Sequence, residues 1–391
     1  MSTKKIAIYS GEIPSTTFIE RLIEGLAYDG FQIYLFGNQS KKISYSQNVV
    51  VHSYSNRITK LFTLVKYSLL LLLFKASEKR YLDKIIGAQH GSKSLLMLRY
   101  YPVLYYKPDI FHLQWAKNIA DWMWVQDFGI KIILSLRGTH ITISPIADTA
   151  LAAQFRSCFS KIDGFHAVSH CIKKEAIRYG GDPSKIEVVY SGLDIQKLPF
   201  SILDTHNKTL KIVSIGRSHW VKGYNYAIEA CNLLKNELFD FQYTIVGIDK
   251  DEELLFQRAQ LKLEQEIFFK KNMSFQNIIE VIQESDILLL SSVEEGIANV
   301  VLEAMAMGTI VLSTNCGGMD EVITDGENGF LVPVRNPQAI AAKIQLIAAL
   351  SVEEKQFIRV KAREFIEKQH NDKQMIYGMK DLYNSVLEIN E

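Results

Sequence analysis

Short apolar runs alternate with longer amphipathic stretches along this chain, an alternation typical of doubly wound parallel sheets. Each run is too short for an ordinary helix, so we interpret it as a buried strand. Residues 195–208 show no clear period and are interpreted as a linker between two series of such runs. The first series predicts strands at Ile6–Ser10, Phe31–Phe36, Val49–Ser53, Ile110–Gln114, Ile132–Leu136, Phe165–Ser169 and Ile186–Tyr190. The second series predicts strands at Lys211–Ile215, Tyr243–Val246, Ile267–Phe269, Ile287–Leu290, Ile310–Ser313 and Phe330–Val332.

The two series predict an α/β protein of two Rossmann-like, doubly wound parallel-sheet domains that face a central cleft. The chain has 391 residues, which is too long for one ordinary domain and sufficient for two of roughly 200 residues. We place the first domain at residues 1–195 and the second at 209–371. A last amphipathic helix in segment 372–391 is predicted to pack back on the first domain. Its apolar positions are Met375, Met379, Leu382, Tyr383 and Val386.

Two glutamates, Glu295 and Glu303, follow the predicted strand that begins at Ile287. We expect Glu295 in the loop at the C-terminal end of this strand and Glu303 about one turn inside the next helix. Ligands of open α/β sheets bind at this edge of the sheet. Carboxylates accept hydrogen bonds from sugar hydroxyls, and a helix N-terminus attracts phosphate. The pattern therefore suits a nucleotide sugar, which carries both groups.

Two cations, Arg217 and Lys222, follow the first predicted strand of the second domain. Both are expected in or near the loop at the C-terminal end of that strand. An arginine can hold a diphosphate through two hydrogen bonds, and a lysine adds a point charge. Such cations would also stabilise the negative charge that develops on a departing nucleoside diphosphate.

With these four residues, further motifs of the second domain resemble glycosyltransferase family 4, whose members are retaining enzymes of the GT-B fold. Those motifs are Glu303-Ala304-Met305-Ala306-Met307-Gly308 and Cys316-Gly317-Gly318-Met319-Asp320-Glu321. The end of the first domain is similar to that family in Ala167-Val168-Ser169 and Ser191-Gly192-Leu193-Asp194. Near the N-terminus, Pro14-Ser15-Thr16-Thr17-Phe18-Ile19 resembles an element of bacterial exopolysaccharide, O-antigen and capsule glycosyltransferases. The resemblance extends over nearly the whole chain.

The resemblance implies a retaining hexosyltransferase that uses a nucleoside-diphosphate sugar, UDP- or GDP-linked, and an acceptor hydroxyl, expected on a lipid-linked glycan. The second domain would bind the donor and the first would present the acceptor. Glu303 would hold the ribose hydroxyls, and Glu295 would lie beside the donor sugar or its reacting face. The backbone N–H groups that would cradle sugar and phosphate belong to Gly296, Ile297, Ala298, Asn299 and Val300.

Two residues of the first domain complete the expected site. His140 lies in the loop after the strand Ile132–Leu136, where the family commonly has a histidine that faces the donor sugar and the acceptor. Together with Arg217, Lys222 and Glu295 it forms the expected catalytic set. Gly11 closes the first strand, and a small residue there would let the loop approach the donor. His112 lies inside a strand and is interpreted as a core histidine.

Asp249-Lys250-Asp251 has the Asp-x-Asp form that metal-dependent glycosyltransferases use. It also lies in a run of charged residues just after a strand, where acids favour the start of a helix. We prefer the helix-start interpretation. Arg217 and Lys222 already offer the positive charge that a metal would supply, so the sequence predicts metal-independent chemistry and no cofactor.

Basic residues are concentrated between Arg57 and Lys107, with ten Lys or Arg against two acids. This stretch also contains the apolar run Leu69–Phe74, which is too short to span a bilayer, a task that needs about 20 residues. One interpretation is a surface that docks on an anionic membrane, where each Lys or Arg is worth about 1 kcal/mol. The other is a buried helix with a solvated basic flank.

Composition and cysteine content bear on the compartment. The four cysteines, Cys158, Cys171, Cys231 and Cys316, form no CxxC pair, which argues for free thiols in a reducing compartment. The N-terminal apolar run is too short for a signal peptide. We therefore expect a cytoplasmic protein that associates peripherally with the inner face of the plasma membrane.

Other functions fit the sequence less well. The net charge of +1 gives no electrostatic case for nucleic acid. A G-x-G-x-x-G fingerprint after a strand and a P-loop are both absent from the sequence, which argues against NAD-dependent and P-loop chemistry. Two alternatives stay open: a transferase for a soluble sugar acceptor, and a non-catalytic subunit that binds sugar nucleotides.

Overall fold

The fold was analysed in a computed structural model, which describes residues 4–201 and 209–388. The chain divides into two compact units. The first runs to Val168, includes Lys173–Val189 and ends with the segment from Asp372 onward. The second comprises Ser169–Ile172 and Tyr190–Asn371. Residues 202–208 of the predicted linker, residues 1–3 and residues 389–391 of the last segment lie outside the described residues.

The first unit contains a seven-stranded sheet in which all paired strands are parallel. Its strands are β1 (Lys5–Ile13), β2 (Gln32–Gln39), β3 (Val49–Tyr54), β4 (Ile110–Leu113), β5 (Lys131–Leu136), β6 (Gly164–Ala167) and β7 (Ile186–Val188). They lie in the order β3-β2-β1-β4-β5-β6-β7. The topological switch point therefore falls between β1 and β4.

The second unit contains a six-stranded parallel sheet. Its strands are β8 (Leu210–Ile215), β9 (Phe241–Val246), β10 (Ile267–Lys270), β11 (Ile287–Leu290), β12 (Ile310–Thr314) and β13 (Phe330–Val332). They lie in the order β10-β9-β8-β11-β12-β13, which puts the switch point between β8 and β11.

Helices connect the strands in both units. In chain order they are α1 (Thr17–Tyr28), α2 (Arg57–Phe74), α3 (Ala76–Ala88), α4 (Lys93–Tyr106), α5 (Ile119–Trp122), α6 (Thr139–Thr142), α7 (Ser144–Ala147), α8 (Thr149–Phe159), α9 (His170–Arg178), α10 (Tyr224–Asn236), α11 (Glu252–Gln260), α12 (Phe275–Gln283), α13 (Asn299–Met307), α14 (Pro337–Ala349), α15 (Val352–Gln369) and α16 (Asp372–Glu388).

The apolar runs mark the strands because both faces of each sheet are covered. In β11, Ile287 and Leu289 belong to the core on one face of the sheet, and Leu288 and Leu290 belong to the core on the other. A strand buried on both faces gives a continuous apolar run instead of an alternating one. The predicted doubly wound α/β class is therefore confirmed.

The last helix, α16, belongs to the core of the first unit. Met375, Met379, Leu382, Tyr383 and Val386 are buried there. They share that core with residues of β1, β2 and α1, among others. The apolar stripe at helical spacing thus marks a helix that packs on the N-terminal sheet, although it is the last element of the chain.

The predicted end of the first strand was wrong. β1 continues through Gly11 to Ile13, since Gly11, Glu12 and Ile13 pair with β2. Gly11 therefore lies within the strand and does not close it. The glycine and the charged Glu12 suggested a loop, but the neighbouring strand supplies hydrogen-bond partners for this part of the backbone.

Candidate functional site

The C-terminal ends of β8 and β11 are adjacent at the switch point of the second sheet. Lys222 ends a short 3₁₀ turn, Trp220–Lys222, in the connection that follows β8. Glu295 lies in the loop between β11 and α13. Two distant parts of the sequence thus meet where open α/β sheets bind their ligands.

Lys222 and Glu295 form an ion pair with 2.6 Å between Lys222 Nζ and Glu295 Oε1. The same carboxylate oxygen accepts a hydrogen bond of 2.9 Å from Ser292 Oγ. The exposed fractions of the two side chains are only 19% and 16%, so water screens their attraction less than it does at the surface. Burial raises the pKa of the neighbouring Tyr224, and the negative charge of Glu295 raises it further.

The connection after β8 is fastened directly to the loop after β11. Val293 N donates to Val221 O at 2.7 Å, and Ser291 Oγ donates to Lys222 O at 2.9 Å. Gly223 follows directly; its φ of +61° is left-handed, and a Cβ there would lie 2.1 Å from Ser291 O. Only glycine permits this close approach of the two backbones. The approach holds Lys222 beside Glu295.

The turn at Cys316–Gly318 supports the Glu295 loop from the side of β12. Gly318 N donates to Gly296 O at 2.9 Å. Gly317 has a φ of +55°, and a Cβ there would lie 1.6 Å from Glu295 O. The backbone of Glu295 and Gly296 therefore packs directly against Gly317 and Gly318. This close packing explains why the motif has two glycines here.

Helix α13 begins within the predicted cradle Gly296–Val300. Ala298 is its N-cap and Asn299 its first residue. The first N–H groups of a helix have no acceptor within the helix, and they carry the positive end of the helix dipole. Glu303 lies about one turn further on and is half-buried. The apolar face of α13 anchors it in the core through Val301, Leu302, Ala304, Met305, Ala306 and Met307.

Arg217 lies in the loop between β8 and the 3₁₀ turn and is exposed. Within residues 4–201 and 209–388 it forms no ion pair with an acidic side chain. A cation at this edge is thus available to an external anion.

The predicted residues of the first unit have different surroundings. His140 lies in the one-turn helix α6, and not in the loop that the sequence predicted. Its ring is 5.1 Å from that of Trp115, measured between centroids. Gly11 lies inside β1, as described above. Both residues belong to the first unit, whereas the Lys222–Glu295 pair belongs to the second.

The Asp-x-Asp segment starts a helix, as predicted. Asp251 is the N-cap of α11, and its carboxylate accepts the N–H of Leu254 at 3.1 Å. Asp249 forms an exposed ion pair with Lys271 at 2.8 Å. The two carboxylates therefore have separate structural roles.

Sequence reasoning assigned no role to two residues of the second unit, Ser292 and Glu321. Ser292 orients Glu295, but a serine after a strand gives no distinctive signal. Glu321 accepts hydrogen bonds from the backbone N–H groups of His170 and Cys171, both at 2.8 Å, and from Tyr190 Oη at 3.0 Å. Glu321 ends the Cys316–Glu321 motif, but its partners lie more than 100 residues earlier in the chain and are brought to it only by the fold.

Burial explains why Cys316 is not a reactive group of this site. Desolvation raises the pKa of its thiol to about 12, and the charges of Glu295 and Glu294 act in the same direction. The thiol is therefore protonated at neutral pH and inert as a nucleophile.

A second candidate surface lies on α2 of the first unit. Tyr67 and Leu71 are buried on its inner side. The opposite side presents large apolar side chains whose exposed fractions run from 48% at Val65 to 79% at Ile58. These are Ile58, Leu61, Phe62, Val65, Leu69, Leu72 and Leu73, which we call the α2 apolar face. The buried-helix interpretation of Leu69–Phe74 is therefore wrong for most of that run: Leu71 is buried, but Leu69 and Leu72–Phe74 are exposed.

The α2 apolar face is one continuous stripe, because successive residues of a helix are 100° apart. Arg57 and Lys66, both exposed, lie on its two flanks. Exposed Arg80 and Lys84 follow on α3. In the described part of the chain, no helix is both long enough and apolar enough to cross a bilayer.

Comparison with known proteins identifies the family of both domains. Glycosyltransferase Family 4 matches residues 15–197, and Glycosyl transferases group 1 matches residues 199–365. The amylovoran biosynthesis glycosyltransferase AmsK of Erwinia amylovora is 32% identical over 276 residues, which cover 66% of each chain. The colanic acid biosynthesis protein WcaL of Salmonella typhimurium is 30% identical over 199 residues, 49% of each chain. These matches span about half to two thirds of the relatives' length.

Solved structures agree in fold. The structure of Anabaena Alr3699/HepE in complex with UDP and glucose matches with a TM-score of 0.71 at 17% identity, over 98% of this chain and all of the other. A glycosyltransferase from Rickettsia africae matches with a TM-score of 0.73 at 18% identity, over 99% of each chain. On the two adjoining domain matches and the two parallel sheets, the chain belongs to glycosyltransferase family 4 and has the GT-B fold.

Proposed function

We propose that this chain transfers a hexosyl unit from a nucleoside-diphosphate sugar to an acceptor hydroxyl, with retention of the anomeric configuration, in the synthesis of a surface polysaccharide. The observation that carries the proposal is the Lys222–Glu295 pair at the switch point of the second sheet, 2.6 Å apart and beside the start of α13. Relatives named for amylovoran and colanic acid biosynthesis support the polysaccharide.

The donor would bind across the C-terminal ends of β8 and β11. Arg217 and Lys222 supply positive charge for the diphosphate, and the N-terminus of α13 supplies backbone donors. Glu303 accepts hydrogen bonds from the ribose hydroxyls. The HepE structure, which contains UDP and glucose in the same fold, supports a UDP-sugar as the first donor to test.

Retention would proceed by attack of the acceptor oxygen on the face from which the diphosphate leaves. The bond from the anomeric carbon to the phosphate oxygen breaks, a bond to the acceptor oxygen forms, and the acceptor's proton passes to the departing phosphate oxygen. One oxygen of Glu295 accepts hydrogen bonds from Lys222 and Ser292, so we assign this residue a positioning role in a mechanism without a covalent intermediate. Its role would be to hold the donor sugar and fix Lys222. We propose that the two cations make a metal unnecessary, because they stabilise the departing diphosphate.

Donor binding is testable by thermal unfolding of the purified protein with UDP- and GDP-sugars, with and without EDTA. At about 100 times the dissociation constant, a donor is expected to raise the Tm by roughly 5–10 °C. The shift should survive EDTA and disappear in Glu303→Ala. The exposed Glu327→Ala, which removes a carboxylate from the same unit, is the matched control and should keep the shift. A folded protein that responds to none of the donors would refute the proposal.

We further propose that the acceptor is lipid-linked and that the α2 apolar face rests on the anionic inner face of the plasma membrane. A helix with an exposed apolar stripe and basic flanks lies in the bilayer interface, and the stems of its Lys and Arg side chains can extend along the apolar surface to the headgroups. Exposed Arg57, Lys66, Arg80 and Lys84 favour an anionic lipid surface, at about 1 kcal/mol each.

Liposome sedimentation tests this surface separately from donor binding. The protein should sediment with vesicles that contain phosphatidylglycerol and be released by high salt, which screens the basic residues. The triple variant Phe62→Ser, Leu69→Ser, Leu73→Ser should lose binding at least tenfold. A matched triple variant at exposed apolar sites of the second unit, Leu255→Ser, Leu346→Ser and Phe357→Ser, should bind normally. An α2 variant that binds vesicles normally but changes the oligomeric state would make this face an interface between copies instead.

A further inference from the structure

Arg137 is a cation of the first unit that has no anionic partner among residues 4–201 and 209–388. One of its terminal nitrogens, Nη2, donates to Gln114 Oε1 at 3.2 Å. The guanidinium carbon lies 4.4 Å from the centroid of the Phe18 ring. The Nε atom is buried and has no hydrogen-bond partner in the part of the chain that the structure describes. Within the described residues no carboxylate forms an ion pair with this side chain.

The polar side chains beneath Arg137 form a buried network without negative charge. His112 Nδ1 is hydrogen-bonded with Tyr383 Oη at 2.7 Å, and His112 Nε2 with Ser135 Oγ at 2.8 Å. Ser135 Oγ is also hydrogen-bonded with His166 Nδ1 at 2.8 Å. His112 is therefore the core histidine that its position in a strand predicted.

The charge of Arg137 acts on this network. Burial lowers the pKa of both His112 and His166, and the positive charge of Arg137 acts in the same direction. Together they bring the pKa of His166 to about 3. Both imidazoles are therefore neutral near pH 7. Burial also lowers the pKa of Arg137, but only to about 9. Arg137 thus remains charged, and no group in the network balances it.

A charge whose inner atoms are buried without a partner is costly to a fold, and charges with strongly perturbed pKa values cluster at functional sites. The position of Arg137 agrees with a binding role. It follows β5, next to the switch point between β1 and β4, and is itself partly exposed. Phe18 and Trp115, both half-buried, lie at the same edge of the sheet. This is the edge at which open α/β sheets bind ligands.

We propose that Arg137 binds an oxyanion of the acceptor, a phosphate or a carboxylate, beside the switch point of the first sheet. The remaining N–H groups of the guanidinium would donate to the oxygens of this anion. The planar guanidinium can form two parallel hydrogen bonds to a phosphate or a carboxylate. That the ligand is an acceptor rests on the proposed function. The presence of an oxyanion site depends only on the geometry of the first unit.

The site can be tested through anion-dependent stability. The probes are inorganic phosphate, inorganic pyrophosphate and glucuronate, each compared with chloride at equal ionic strength. To exclude anions at the donor site, the measurements are made in the Lys222→Ala protein as well as in the wild type. At least one probe should raise the Tm by several degrees in both proteins. A preference for the phosphates or for glucuronate identifies the kind of acceptor group.

Arg137→Met removes the charge and keeps the length of the side chain. It should abolish the response to the probes, while the Tm without anion stays equal or rises, because an unbalanced charge has been removed. Arg137→Lys should keep a weaker response, since an ammonium group lacks the planar fork. Arg156→Met, at an exposed arginine of the same unit, should respond like the wild type.

Three outcomes would overturn the assignment. The first is a wild type that responds to no probe beyond chloride. The second is an Arg137→Met protein that keeps the response, or whose Tm falls sharply without anion, since a fall indicates a structural role. The third is loss of stabilisation by UDP in Arg137→Met, because Arg137 would then serve the donor. A normal phosphate response in a protein that binds no nucleotide sugar would instead refute the proposed function alone.

Discussion

Lys222→Ala is expected to lower kcat for glycosyl transfer by about 10²–10³-fold, the effect typical of removing one preorganised group that stabilises transition-state charge. Lys222 lies at the switch point of the second sheet, where the diphosphate of the donor is proposed to depart. Its loss removes a positive charge from this position and releases Glu295, which Lys222 holds at 2.6 Å. The measurement is kcat with the donor that the thermal screen identifies.

The same substitution should also weaken the fold. Among the residues that the structure describes, it leaves the carboxylate of Glu295, which is 16% exposed, with Ser292 as its remaining hydrogen-bond donor. Surface pairs are worth about 0–1 kcal/mol, and breaking a fully buried pair costs about 3–5 kcal/mol. We therefore expect a loss of about 1–3 kcal/mol in the free energy of unfolding, measured in urea.

Two controls separate the effects on activity and stability. Lys271→Ala breaks the exposed pair with Asp249 and should change the free energy of unfolding by less than about 1 kcal/mol. The double variant Lys222→Ala, Glu295→Gln should recover part of the lost stability, because the unpaired charge is gone, but none of the activity. A Lys222→Ala protein with the kcat of the wild type would exclude Lys222 from the proposed mechanism.

Gly317→Ala is expected to destabilise the second domain by about 2–5 kcal/mol. A left-handed backbone costs a non-glycine residue about 1–2 kcal/mol, and forcing an atom into a packed site costs a further 1–3 kcal/mol or so. Both apply here, since φ is +55° and the new Cβ would lie 1.6 Å from Glu295 O. The loop must move away, and with it the Glu295 carboxylate and its partner Lys222.

Gly326→Ala is the matched control for Gly317→Ala. Gly326 also has a left-handed backbone, with a φ of +80°, but a Cβ there would meet no atom within 4 Å. It should therefore lose only about 1–2 kcal/mol and keep its transferase activity. Urea unfolding and kcat are measured for both variants. Equal effects of the two substitutions would mean that the Cys316–Gly318 turn does not fix Glu295.

Much of the fold could be predicted from the apolar runs alone. Strands such as β11 and β13 were predicted with their observed limits, because burial on both faces requires a continuous apolar run. The placement of Glu295 in a loop and of Glu303 one turn inside α13 follows from the same pattern. The end of β1 could not be predicted in this way, since Gly11 and Glu12 are held in the strand by pairing with β2.

Side chains from distant parts of the chain form the contacts that sequence reasoning missed. Ser292 contacts Glu295 in a loop whose geometry depends on Gly223, Gly317 and Gly318. Close approaches of this kind cannot be predicted from a local sequence pattern. Sequence reasoning assigned no role to Arg137, because its neutral surroundings come from distant parts of the chain: Gln114, Phe18 and the network that ends at Tyr383. The orientation of α2 was equally hidden, since a leucine-rich helix can turn its apolar side inward or outward.

The sequence by itself determined the order of strands and helices, the two sheets, the family and the positions of the main candidate residues along the chain. The strands and helices follow from the periodicity of apolar residues, whereas the family follows from motifs that resemble glycosyltransferase family 4. Only the tertiary structure decided which charges are paired and which are not: Lys222 is joined to Glu295, whereas Arg137 lies on a neutral network. It also decided that the apolar side of α2 faces outward. Both depend on packing between residues that are far apart in the chain. This packing determines how deeply each charge is buried and therefore how weakly water screens its interactions.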